Sequence, residues 1–195
     1  MTSAFLVRLA ADHAREILET QLPPHMYFHN LTHTQNVVSA VKEIGGQSRL
    51  GNIEMMGLEI AAWFHDTGYC YTYNGHEETS SAIASTFLVQ NKCGENFINE
   101  VAACIMATRV PQNPQNLQQQ IICDADMFHL AQDDYVYQAS QLRLEWAHQL
   151  NEHFTDEDWT GTNISLLMKH GYFTSYGKTT LQPGKLKNID RLLSA

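Results

Sequence analysis

The chain has 195 residues, 44% of them apolar and 17% charged, and a formal charge of −9 from 12 basic and 21 acidic side chains. That size suits one domain with a sizeable core, and the acidity argues against a large nucleic-acid interface, which needs a basic stripe. No apolar run is long enough to cross a bilayer, Met1 to Leu22 lacks the pattern of a signal peptide, and four cysteines without CxxC spacing fit reduced thiols in a cytoplasmic protein.

Helical periodicity dominates. Residues 3–19 carry Phe5, Leu6, Leu9, Ile17 and Leu18 on a broad face, and LPP at 22–24 closes that helix. A second helix is expected from Leu31 or Thr32 to Glu43, with His33, Val37, Val41 and Ile44 on one face and Gly45 and Gly46 at its end. The third runs from Asn52 or Ile53 to His65. Leu58, Ala61, Ala62 and His65 fall at helical spacing, so His65 extends the buried face at the C-terminal end. Gly68 breaks that element, GYCYTYNG reads as an aromatic loop, and HEETSSAIASTFLVQNKCG reads as a helix ended by Gly94. Residues 95–108 form the next, with Ile98, Val101, Ile105 and Thr108 on one side.

The proline-punctuated stretch at 109–120 reads as a surface loop. Helices follow at about 117–130 and 133–151, TDEDW opens another with an acidic first turn, and ISLLMKHG ends it on a glycine. YGKTTLQPGKLKN reads as a tail whose Lys178, Lys185 and Lys187 either decorate the surface or close over an anion. Strand signals are weak and repeats are absent, so the expectation is a single all-α domain over 1–195.

Within AAWFHDTGYCYTYNGHEETSSA an apolar helix finishes on His65 followed directly by Asp66, with His76 and Glu77 a short way on. His33, His65, Asp66 and Asp126 each lie beside an apolar helical face, where a bare carboxylate is costly to bury and a cation removes the penalty. Imidazole nitrogen with carboxylate oxygen suits one divalent ion among Mn, Fe, Co, Ni and Zn, and Mg less readily. Adjacent side chains point about 100° apart on an ideal helix, so His65 and Asp66 can share an ion only where the helix ends and the backbone turns. Asp124 competes with Asp126 for the last ligand position, and periodicity leaves that choice open.

In these residues the chain resembles the HD-domain superfamily of metal-dependent phosphohydrolases, especially its small bacterial members. The family's first histidine matches His33 in YFHNLTHT, its His-Asp pair matches His65 and Asp66, and its final aspartate matches Asp126 in CDADMFHL. The resemblance spans about residues 28–130, touches His76, Glu77 and Ser80 in GHEETSS and Thr108 in IMATR, and leaves the C-terminal helices as accessory elements. It implies an HD-type helical bundle and the ligand set His33, His65, Asp66 and Asp126. Between Asp66 and Asp126 the only histidine is His76, so the sequence departs from two-metal members that carry two further histidines there.

The implied activity is hydrolysis of a phosphate ester or anhydride by metal-activated water, on a small phosphorylated molecule with nucleotides among the candidates. A regulatory module that binds metal and nucleotide with little turnover is the alternative. Asp66 is expected to hold metal and orient water, His76 to act on a substrate oxygen or the leaving group, and Glu77 to support it. Arg109 and Thr108 are the candidate substrate contacts, the guanidinium being suited to phosphate oxygens. The tyrosines of YCYTYNG are candidates for a base-stacking wall or for a loop that covers the helices. Apolar faces could pack within the chain or across a homo-oligomer.

Overall fold

A computed structural model describes residues 3–194, and among them no strand occurs. Among these described residues nine α-helices follow in chain order: α1 (Ser3–Gln21), α2 (Leu31–Gly46), α3 (Asn52–Phe64), α4 (His76–Gln90), α5 (Glu95–Ala107), α6 (Leu117–Asp126), α7 (Tyr135–Gln149), α8 (Asp156–Lys169) and α9 (Gln182–Leu193). The all-α expectation therefore holds. None of these helices is long and apolar enough to cross a membrane, and all four cysteines are free.

The chain divides into two compact units. One holds the residues up to Pro24 together with His29–Asp126, and the other holds His25–Phe28 with the chain from Met127 onward.

In the first unit α3 lies at the centre, packed against α1, α2 and α5, while α2 also meets α6 and α4 meets α5. The sequence explains that placement: Leu58, Ile60, Ala61, Ala62 and Phe64 are all fully buried, so α3 is apolar around most of its circumference. Each Leu, Ile or Phe so enclosed contributes about 1.5–3 kcal/mol relative to exposure. On α2, Val37, Val41 and Ile44 are buried on the face that carries His33. The stripe of α1 is narrower than its composition suggests: Leu6, Ala10, Ala14, Ile17 and Leu18 are buried, whereas Phe5 is 44% exposed.

Local chemistry sets the helix starts. The Asn30 side chain accepts hydrogen bonds from the backbone N–H of Thr32 (2.9 Å) and of His33 (3.2 Å), so α2 begins where a ligand candidate must be placed. Gly68 is required by space rather than by φ. A Cβ there would stand 2.8 Å from the His76 carbonyl carbon and 2.9 Å from the Ser80 nitrogen. The first turn of α4 thus rests directly on the Gly68 backbone, whose N–H donates to Ser80 Oγ at 2.8 Å.

In the second unit Leu130, Tyr135, Ala139, Trp159, Leu167 and Ile189 form the core. The Tyr135 hydroxyl donates to Asn163 Oδ1 at 2.6 Å, which lets a tyrosine be buried there. The stretch expected as a tail contains α9, with Pro183 tolerated in its first turn. Lys185 neither decorates the surface nor closes over an anion. It is 2% exposed, its ammonium donates to the His170 carbonyl at the end of α8, and burial pushes its pKa down.

Candidate metal centre

Every candidate ligand lies in the first unit. Two elements deviate from the sequence expectation at the point that matters. The stretch read as an aromatic loop begins with a 3-10 turn, Thr67–Cys70, and the helix expected through residue 130 stops at Asp126, giving way to a second 3-10 turn, Met127–Ala131. Asp66 has φ −108° and ψ 2°, whereas His65 is still helical at −53° and −34°. Leaving α geometry at Asp66 swings its carboxylate round to the side of the His65 ring, the convergence a continuous helix forbids.

The cluster is tight and largely buried. His33, His65 and Asp66 are 7%, 1% and 4% exposed, and each offers an atom within 4.8 Å of the others, as a shared metal ion requires. His65 Nε2 stands 3.4 Å from His33 Nε2 and 3.2 Å from Asp66 Oδ2, and His33 Nε2 stands 3.4 Å from that same oxygen. Asp126 Oδ1 joins at 3.3 Å from His33 Nε2 and 3.7 Å from His65 Nε2. Donors about 2.1 Å from one ion stand about 3.0 Å apart in an octahedron and about 3.4 Å apart in a tetrahedron, so these separations suit a common cation.

The tautomer is fixed from behind. His65 Nδ1 lies 2.8 Å from the Ala62 carbonyl, an oxygen that only accepts, so Nδ1 carries a hydrogen and Nε2 is the nitrogen turned toward the cluster and left to bind a cation. Asp66 Oδ2 is buried and makes no hydrogen bond despite its two imidazole neighbours. A carboxylate oxygen buried this way calls for a positive charge.

The electrostatics agree. Burial alone would lower the His65 pKa, but the Asp66 and Asp126 carboxylates hold it well above its ordinary 6.5. Burial works against ionising Asp66 and Asp126, yet the facing imidazoles keep both well below the ordinary carboxylate value. In the metal-free chain a proton on the His65 imidazole supplies the positive charge that a divalent cation would bring.

Beside the cluster stands His76. Its Nε2 is 3.5 Å from Asp66 Oδ1 and 3.8 Å from Glu77 Oε1, while its Nδ1 is 3.3 Å from the Tyr73 carbonyl. The fold therefore gathers His33, His65, Asp66, Asp126, His76 and Glu77. Arg109 and Thr108 make no hydrogen bond or ion pair with that group. Arg109 pairs with Glu78 at 2.6 Å, both about half exposed, and the buried Thr108 donates its hydroxyl hydrogen to the Ile105 carbonyl. Asp124 is fully buried, whereas Asp126 is the acid whose oxygen reaches the imidazoles.

The tyrosines part company. Tyr71 is 62% exposed, but Tyr69 is 7% exposed with its ring already engaged by histidines. His148 stacks on exposed His25 at 4.2 Å in the second unit.

Fold and cluster together give an all-helical protein with a buried His-His-Asp group suited to a divalent metal. No protein-family model matches the sequence, and no curated protein matches it. A solved structure does: the predicted HD superfamily hydrolase from an uncultured Thermotogales bacterium is 19% identical over 96% of this chain and 91% of that one, with a TM-score of 0.59. At that identity the likeness establishes the shared fold.

Proposed function

We propose that the protein is a metal-dependent phosphohydrolase of the HD superfamily, acting on a small phosphorylated molecule. The observation that carries the reading is Asp66 Oδ2, buried between two imidazole nitrogens without a hydrogen bond. The HD-hydrolase fold supports the reaction class, and the oxygen-and-nitrogen donor set supports one ion of the Mn, Fe, Co, Ni, Zn or Mg group. When bound, that ion supplies the positive charge that polarises a phosphoryl oxygen and lowers the pKa of water.

The chain's own groups supply the rest. His33, His65, Asp66 and Asp126 hold the ion. The second oxygen of Asp66, Oδ1, faces out of the ligand group toward His76 and orients the attacking water, taking its proton as the new phosphorus–oxygen bond forms. The bond from phosphorus to the leaving group breaks with its electron pair on the leaving oxygen, and His76 Nε2 gives that oxygen a proton. Glu77 stands close enough to stabilise the charged ring. Arg109 meets a phosphate oxygen once it releases Glu78, and Thr108, its hydroxyl committed to Ile105, sets the direction in which Arg109 leaves α5.

The test is purified protein loaded in turn with each ion and offered nucleotides, pyrophosphates and simple phosphomonoesters. Phosphate release that disappears in Asp66→Asn is expected. Tight metal binding with no release under any ion would refute hydrolysis and leave a metal-binding module.

A further inference from the structure

We propose that Tyr69 is the positioning residue of the proton donor: it clamps His76 by its ring face and ties that histidine to His29. The inference rests on the phosphohydrolase reading for its catalytic consequence, but its geometric content stands apart from it.

The Tyr69 ring lies parallel to the His76 ring, centroids 3.7 Å apart and planes 18° from one another. It also stacks on His29, at 4.5 Å and 28°, with its hydroxyl 3.4 Å from His29 Nε2, and it meets the Tyr73 ring at 5.0 Å and 59°. His29 in turn presents an edge to the His33 ring, 5.7 Å away at 80°. Tyr69 thus links the ligand-bearing start of α2 to the first residue of α4. It can do so because the 3-10 turn after Asp66 turns its ring inward, leaving it 7% exposed.

His76 needs such a clamp. Its in-plane contacts are all long: 3.3 Å to the Tyr73 carbonyl, 3.5 Å to Asp66 and 3.8 Å to Glu77. In-plane hydrogen bonds of that length orient a ring weakly. Face-to-face contact with a buried tyrosine restricts the tilt that the edge contacts leave free, and tilt decides whether Nε2 points toward the reacting group or away from it. Tyr69 is buried and its ring already stacks on two histidines, so it is not placed to stack on a substrate base. That separates it from exposed Tyr71, two residues on.

The experiment compares Tyr69→Phe and Tyr69→Leu with the wild type in two ways. Proton NMR of the histidine ring hydrogens, with His76→Gln to identify the resonance, reads the stack directly. The His76 signals are expected upfield in the wild type and in Tyr69→Phe, and to move toward the ordinary histidine position in Tyr69→Leu. With the metal-loaded protein and p-nitrophenyl phosphate esters, Tyr69→Leu is expected to lose roughly ten- to a hundredfold in kcat, the scale of an ångström-sized misplacement. KM and metal affinity should stay near wild type, and Tyr69→Phe should restore most of kcat.

Unshifted His76 signals in the wild type, or signals indifferent to Tyr69→Leu, would overturn the clamp. So would equal loss of metal affinity and kcat, which marks a merely structural role. Absence of turnover in the wild type would defeat the phosphohydrolase reading instead, and the His76 signals would still decide for or against Tyr69.

Discussion

Replacing Gly68 with alanine separates the metal ligands from the proton-carrying groups. The added Cβ would fall 2.8 Å from the His76 carbonyl carbon and 2.9 Å from the Ser80 nitrogen, against 3.4 Å for ordinary contact, and closer still to the His76 carbonyl oxygen. All three are backbone atoms, so no side chain can swing away to make room. The first turn of α4 must lift from the His65–Asp66 turn by on the order of 1 Å, a displacement that costs about a hundredfold when it falls on a reacting group. Over-packing of this kind costs about 1–3 kcal/mol, and in a chain of this length each kcal/mol lowers Tm by about 2–4 °C. His33, His65, Asp66 and Asp126 lie on other elements, so metal affinity measured by calorimetry should change little while kcat falls by about two orders of magnitude. Wild-type turnover together with wild-type Tm would mean that α4 does not rest on Gly68, and the placement of His76 would then need another origin.

The raised pKa of His65 makes metal uptake dependent on pH. A proton must leave its Nε2 before a cation can bind, so affinity should climb about tenfold per pH unit from below 6.5 until the pH passes the folded-state value. The stability that the same proton gives the metal-free chain is present below 6.5 and is lost as pH rises through that folded value, so metal should protect most on the alkaline side. Titrations in which affinity is flat with pH would refute this. Glu78→Gln frees the Arg109 guanidinium and should lower KM for phosphorylated substrates severalfold. It should leave Tm almost unchanged, because half-exposed ion pairs contribute only about 0–1 kcal/mol. An unchanged KM would remove Arg109 from substrate binding. Lys185, its pKa lowered by burial, binds fewer protons folded than unfolded between its lowered value and 10.5, so stability should rise with pH there. The Tm difference between wild type and Lys185→Met should therefore move in favour of the wild type on going from neutral toward alkaline pH, and a constant difference would contradict it.

Much of the helix layout was legible because burial follows a 3.6-residue period wherever the buried face is apolar. Leu58, Ala61, Ala62 and His65 were placed on one side of α3 by spacing alone, and all four are buried. Helix α9 was not legible for a matching reason. Its buried residues are Lys185, Asn188 and Ile189, so two of the three inward positions read as surface. Asn188 satisfies itself by donating to the Leu130 and Gln132 carbonyls, and Lys185 by donating to His170, partners distant in sequence that periodicity cannot announce. Phe5 is the converse case, an apolar residue on the expected stripe that lies beyond the edge of the packed face.

The site divides along the same line. Histidine and aspartate beside apolar helical faces are anomalous in any sequence, because an uncompensated charge there is costly, so a candidate cation site could be read without a structure. Which acid answers it could not. Asp124 and Asp126 sit two residues apart on α6, about 200° around an ideal helix, so only one of them can face the imidazoles. That one is the last residue of α6, after which the chain tightens into a 3-10 turn. Asp66 likewise sits where α3 gives way to a 3-10 turn. Both carboxylates thus approach the histidines at the exact residue where α geometry is abandoned, and such a boundary is fixed by tertiary packing as much as by local sequence. Residue types declared that a charge had to be met, and the two helix ends decided from which direction.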